Sequence, residues 1–151
     1  MGPVTPLLAT ANMLQKQDAS IKISWVGTPQ GPERAFVEEA GIPFYALSVA
    51  KWPRYPSIDW ITFPWRAWQA REQAKQIIGT IKPQAIVSVG GFTATPLIRL
   101  ASRRGIPCFI HQLDREPGLA NRLVAKDCIS VTTSFEYETH PFGDRVFDQP
   151  L

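Results

Sequence analysis

The chain predicts an α/β fold with a doubly wound parallel sheet, and three observations predict it. Apolar and β-branched runs alternate with segments of helical periodicity along almost the whole length. Three of those runs, 85–89, 108–111 and 128–133, are near-continuous, as strands buried on both faces should be. Between Ser88 and Lys126 the order is strand, Gly-Gly turn, helix, strand, polar turn, helix. Both turns then fall where the carboxyl ends of parallel strands meet helix amino termini, the edge at which open α/β sheets bind ligands. Helix amino termini favour phosphates there, so the expected crevice suits an anionic, pyrophosphate-bearing ligand.

Each element has its own warrant. Thr5 to Gln17 reads as a helix, with Leu7, Leu8, Ala11 and Leu14 on one face. Ile21 to Val26 is a strand closed by Gly27-Thr28-Pro29, and Pro32 to Ala40 is a short helix capped by Gly41. Phe44 to Val49 is a strand, and residues 50–57 hold two prolines and form a loop. Ile58 to Ile81 is helical, broken or restarted near Pro64. Strands at 85–89, 108–111 and 128–133 are separated by helices at Thr95–Arg104 and Gly118–Ala125.

Composition bounds the classes available. The 151 residues fit one domain with a real core. A net charge of +3 is too mild to argue for nucleic acid, and none is expected as a partner, but it permits an anionic membrane surface. No apolar run reaches the roughly 18 residues of a spanning helix. Cys108 and Cys128 lack CxxC spacing and fall in expected strands, so buried free thiols are expected rather than a disulfide or metal site. No metal and no cofactor is expected. Arg103 and Arg104 read as a solvated helix end opposing the dipole.

The ends are unusual. Met1-Gly2-Pro3-Val4-Thr5-Pro6 looks like a glycine-rich turn opening a helix without a strand before it, whereas a βαβ fold places its first strand near the sheet centre. Val146-Phe147 resembles a last strand, and 149–151 the start of a linker. The expectation is a domain over 1–148 that lacks its first strand and belongs to a larger two-domain protein; a complete small domain is the alternative.

Five segments carry a family resemblance: GPVTPLLA at the start, SWVGTPQGPERAFVEEAGIPF, KPQAIVSVGGFTATP, GIPCFIHQ and PGLANRLVA. In this order and spacing the chain resembles the amino-terminal domain of the MurG-type transferases of glycosyltransferase family 28. These move N-acetylglucosamine from its UDP donor to undecaprenyl-pyrophosphoryl-muramoyl-pentapeptide. The resemblance implies the GT-B fold, two Rossmann-like halves facing across a cleft, of which this would be the acceptor half. UDP-N-acetylglucosamine would then be held mainly by a carboxyl-terminal domain. It also implies a peripheral location on the cytoplasmic face of the bacterial plasma membrane.

The candidate site follows. Backbone N–H groups around Gly2 and around Gly90-Gly91 would cradle a pyrophosphate, glycine allowing close approach. The turn continues through Phe92, Thr93 and Thr95, and Asn121 on the following helix resembles a family position. A turn that merely needs glycine, and an amide that merely braces one, are the alternatives. His111 ends a strand at the same crevice, followed by Gln112 and Asp114; it is either a structural histidine or part of the site wall. Three departures from the family pattern bear on catalysis. Pro3 stands where the family has a histidine that is a candidate base. Ala94 and Thr95 replace the serine and glycine of Gly-Gly-Tyr-x-Ser-Gly. His-Glu-Gln-Asn becomes His111-Gln112-Leu113-Asp114. Since sugar transfer needs a base for the acceptor hydroxyl, His111 and Asp114 are the candidates.

A second functional segment is aromatic. Ile58, Trp60, Ile61, Phe63, Trp65 and Trp68 are interleaved with Arg66 and Arg71 and preceded by Lys51 and Arg54. Rings at headgroup depth with cations on anionic lipid suit an interfacial helix; packing of the rings on the sheet is the alternative. Three functions remain open. They are the acceptor-binding, membrane-facing half of a glycosyltransferase, inactive alone; a noncatalytic membrane-recruiting subunit of a split transferase; and an unrelated nucleotide-binding module. The last requires GxGxxG after a first strand, which the sequence does not show.

Overall fold

A computed structural model of the protein describes residues 4–49, 59–137 and 142, without the side chains of residues 59–62. The expected turn at Gly2 and Pro3, the loop with Lys51 and Arg54, Ile58, the Trp60 and Ile61 side chains, the strand at Val146-Phe147 and the linker at 149–151 lie outside that description.

Helix α1 (Val4–Gln17) buries Ala11 and half-buries Leu7, Leu8 and Leu14, the face its apolar spacing predicts. Strand β1 (Trp25–Gly27), helix α2 (Glu33–Glu39) and strand β2 (Phe44–Ala46) follow, with β1 and β2 parallel. Gly41 takes φ +71° beyond α2, the left-handed cap expected of it. Both strands are shorter than their apolar runs. Ile21 is tied back to Asp18 in a turn, so pairing begins only where the Trp25 N–H reaches Pro43 O at 2.8 Å. It ends at Leu47 N–H on Gly27 O, because the partner chain then leaves through the Thr28 turn. A strand lasts only as long as its partner.

Helix α3 (Asp59–Ile81) runs unbroken through Pro64, against expectation. The proline sits in the second turn, where it removes a single hydrogen bond close to a fraying end. Strands β3 (Ile86–Ser88), β4 (Cys108–Gln112) and β5 (Ser130–Thr133) then form a parallel sheet in the order β3-β4-β5. Helix α4 (Ala94–Arg103) links β3 to β4; helix α5 (Leu119–Val124) and a 3-10 turn at Ala125–Asp127 link β4 to β5. Arg103 and Arg104 are exposed at the end of α4. Among the described residues the strands pair in two hydrogen-bonded groups, β1-β2 and β3-β4-β5. Leu47, fully buried, joins the core of the larger sheet, with Val26, Tyr45 and Val49 packed against it.

Two expectations are corrected. The three apolar runs are not buried on both faces: β4 alternates buried and half-buried from Cys108 to Gln112, β5 does the same, and Val87 of β3 is 47% exposed. One face packs on Ala74, Ile77 and Ile78 of α3 and on Leu97, Ile98 and Ala101 of α4; the other is half-open. Cys128 precedes β5 instead of lying in it, because the 3-10 turn occupies the chain up to Asp127. Both cysteines are free and buried, with the Cys128 thiol on Val124 O at 3.3 Å.

Candidate functional site

The Gly-Gly turn leaves β3 and enters α4. Gly90 and Gly91 take φ +109° and +104°, conformations that side-chain-bearing residues rarely adopt. Gly91 is exposed and Gly90, Phe92 and Thr93 are half-buried. Not every amide of the turn is available. Gly90 donates to Ser88 Oγ at 3.0 Å, Ala94 to Gly91 O and Thr95 to Phe92 O. The N–H groups of Gly91, Phe92 and Thr93 have no acceptor among the described residues, and they precede the positive end of a ten-residue helix. The cradle expected at Gly90-Gly91 would therefore rest on these three. The Thr95 hydroxyl is buried and without a hydrogen-bond partner among the described residues, so it faces the interior of the turn instead of its rim.

Behind the turn lies a chain of amides. Asn121, 4% exposed, donates from Nδ2 to Gln112 Oε1 at 2.7 Å. Gln112, 2% exposed, donates from Nε2 to Asp114 O at 2.8 Å and to Glu116 O at 3.4 Å. Tyr137 Oη holds the same loop from outside, donating to Asp114 O at 3.2 Å and Arg115 O at 2.8 Å. Asn121 Oδ1 has no partner among the described residues and stands against Gly90. Asn121 thus braces the two turns from behind, largely buried. The Asp114 carboxylate belongs to an exposed residue.

His111 is not brought together with Asn121. Successive strand residues point to opposite faces, so Gln112 meets α5 while His111 meets β5. Its Nδ1 lies 2.9 Å from Thr132 Oγ1, the residue directly opposite it in the ladder, and its Nε2 lies 3.0 Å from Ser134 Oγ. Burial lowers the imidazole pKa below its ordinary value of 6.5, favouring the neutral ring. Thr132 and Ser134 carry no signal in the sequence, and Gln112 enters it only as the polar residue after His111. The two-residue spacing of Thr132 and Ser134 put them on one face, but only the β4–β5 register puts that face under His111.

The aromatic segment divides by helix geometry. Ala70, Ala74, Ile77 and Ile78 form the buried stripe of α3, whereas Trp65 is 61% and Trp68 51% exposed. At 3.6 residues per turn the two stripes lie about 160° apart. The two indoles lie against each other, ring centroids 5.2 Å apart. Phe63 is half-buried and so contributes less to this face; Arg66 and Arg71 are exposed. No helix among the described residues is long and apolar enough to cross a membrane.

Two shallow cavities lie elsewhere. One of roughly 450 Å³ is lined by Arg122, Ala125, Lys126 and Phe142. The other, of roughly 340 Å³, lies between α1 and Phe36. Neither is lined by the Gly90 turn or by His111. The described residues contain no cluster of His, Cys, Asp and Glu able to hold a metal.

The profile of the glycosyltransferase family 28 N-terminal domain matches residues 1–133. The chain belongs to this family. Among similar curated proteins, the UDP-N-acetylglucosamine–N-acetylmuramyl-(pentapeptide) pyrophosphoryl-undecaprenol N-acetylglucosamine transferase of Desulforamulus reducens is 35% identical over 144 residues, 95% of this chain and 39% of its own length. The protein of the same name from Clostridium botulinum is 36% identical over 145 residues, 95% of this chain and 40% of its own. The crystal structure of Acinetobacter baumannii MurG superposes with a TM-score of 0.77 at 26% identity, covering 96% of this chain and 40% of that one. The family 28 chain thus spans about 40% of the length of these relatives. Its parallel strands and crossover helices are those of one half of the GT-B fold, as the sequence predicts.

Proposed function

We propose that this chain is the acceptor-binding half of a peptidoglycan-precursor hexosyltransferase. The reaction would move N-acetylglucosamine, with inversion, from UDP-N-acetylglucosamine to the lipid-linked muramoyl-pentapeptide. The observation that carries the reading is family membership over residues 1–133, together with relatives whose names specify that transfer. The rim chemistry supports it. The N–H groups of Gly91, Phe92 and Thr93, without an acceptor among the described residues, suit the acceptor pyrophosphate. Asn121 and Gln112 hold the turn from behind, and Thr95 packs within it. Gly2 would extend the cradle from the start of the chain. His111 and Asp114 are the rim groups able to take the acceptor proton. Contacts to UDP-N-acetylglucosamine fall mainly to the carboxyl-terminal part of the enzyme, so this half alone would bind acceptor without transferring sugar.

The same reading puts Trp65 and Trp68 on the cytoplasmic membrane surface, with Arg66 and Arg71 meeting anionic headgroups. An exposed indole pair opposite the packed stripe of a helix is what an interfacial anchor requires. Attachment would be peripheral.

The test is a liposome assay containing lipid-linked muramoyl-pentapeptide. Acceptor binding is measured with the chain alone, and sugar transfer with the chain joined to the carboxyl-terminal half of the Desulforamulus reducens relative. Binding by the chain and transfer by the joined protein are expected. Binding without transfer in either form would favour a noncatalytic recruiting subunit. Absence of both would end the proposal.

A further inference from the structure

The open face of the larger sheet carries a second arrangement that does not involve the Gly-Gly turn. His111 of β4 and Thr132 of β5 are ladder partners, and Ser134, two residues further on, follows on the same face. Thr132 Oγ1 lies 2.9 Å from His111 Nδ1, and Ser134 Oγ lies 3.0 Å from His111 Nε2. The roles of the two ring nitrogens depend on the tautomer, and the Nδ1–H form is the one that makes Ser134 the donor. The Thr132 hydroxyl has Ile110 O as an acceptor at 3.5 Å, which leaves its lone pairs to receive an Nδ1 proton. Nε2 is then the unprotonated nitrogen, and Ser134 donates its hydroxyl proton to it. Exposure runs in the same direction: Thr132 and His111 are half-buried, and Ser134 is exposed. A hydroxyl on the base and a third group orienting the base is the arrangement of an activated nucleophile.

We propose that Ser134 is a base-activated nucleophile, with His111 as its general base and Thr132 as a positioning residue, open to electrophilic esters of carboxylic or phosphonic acids. In the reaction Ser134 Oγ forms a bond to the acyl carbon or phosphorus, and the bond to the leaving alcohol or halide breaks with its electron pair. The Ser134 proton passes to His111 Nε2 and from there to the leaving group or water. No oxidant, reductant or metal enters the balance. Burial lowers the His111 pKa and so favours the neutral ring, whose lone pair can take the proton.

The proposal rests on β4 and β5 side chains and can fail while the acceptor reading stands. The purified chain is treated with an alkyl fluorophosphonate and followed by intact mass and peptide mapping, with fluoride as the leaving group. One adduct on Ser134 is expected. Ser134→Ala abolishes it, His111→Gln slows it about 100-fold, and the near-isosteric Thr132→Val slows it several-fold. Ser134 is exposed, so its replacement leaves folding intact. A readout independent of variants is the imidazole 15N spectrum of the unmodified chain at neutral pH, where His111 is expected as the Nδ1–H tautomer. An adduct rate no higher than that of free serine, a rate unchanged in His111→Gln, or an Nε2–H tautomer would each overturn the proposal.

Discussion

Gly90 and Asn121 meet across the rim at a distance that admits a side chain only if Asn121 gives way: a Cβ on Gly90 would lie 3.0 Å from Asn121 Oδ1 and 3.1 Å from Nδ2. The glycine is therefore constrained twice, by its φ of +109° and by the amide behind it. Gly91, at φ +104°, is constrained once, because its Cβ would meet nothing nearer than Thr93 Oγ1 at 3.8 Å. Gly90→Ala should cost about 2–3 kcal/mol and Gly91→Ala about 1–2 kcal/mol in urea unfolding. Equal costs would mean that backbone strain alone decides and that Asn121 does not abut the turn.

Asn121 also holds Gln112, and the asymmetry of buried hydrogen bonds makes that measurable. Asn121→Leu keeps the volume but leaves Gln112 Oε1 buried without its donor at 2.7 Å. The expected loss is about 1–3 kcal/mol. Replacing both, as Gln112→Met with Asn121→Leu, removes the orphaned acceptor and frees only carbonyls on an exposed loop. The double variant should be no less stable than Asn121→Leu. A strictly additive double loss in a mutant cycle would refute the coupling.

The two thiols set the response to alkali. Burial, reinforced by the Asp127 charge, raises Cys108 from an ordinary value of 9.0 to about 11. Burial, then the Cys108 and Asp127 charges, raises Cys128 to about 12. Both folded values lie above the unfolded ones, so the folded chain holds protons that the unfolded chain releases. The stabilisation is complete below about pH 9 and is lost as pH rises from there through 11 to 12. Unfolding free energies between pH 7 and 10.5 should show a steeper alkaline decline in the native sequence than in a Cys108→Ala, Cys128→Ala variant. Parallel curves would show that other groups set the slope.

What could be read from the sequence was whatever depends on local chemistry. Apolar runs located every described strand, Gly41 announced its cap, and the Gly-Gly pair announced a strained turn. Pairing was less legible, since strand length is fixed by the partner: Ile21 looks like a strand residue and lies in a turn. Side-chain direction was illegible for the same reason. His111 and Gln112 are adjacent in sequence, yet one faces Thr132 and the other Asn121. The interior cost of Pro64 predicts a break or a restart, whereas its closeness to the helix start makes that cost small.

The sharpest test of the membrane reading lies on α3. Trp65 and Trp68 carry the largest apolar groups of its outward face and already lie together, so inserting them does not require ordering two independent rings. A fully buried aromatic ring gains about 1.5–3 kcal/mol, and an interfacial position realises part of this. Trp65→Ser with Trp68→Ser should therefore lower partitioning onto vesicles of anionic phospholipid about tenfold or more. Thermal unfolding in solution should be unchanged, because neither ring belongs to the buried stripe. Arg66→Gln with Arg71→Gln should weaken binding by a smaller factor that disappears in high salt, since charge attraction to the surface is screened within a Debye length. The pattern separates insertion from adsorption: loss on tryptophan replacement at every salt concentration marks insertion. If the tryptophan variant binds as the native chain does, α3 is not the anchor, and the indole pair must answer to a contact of another kind.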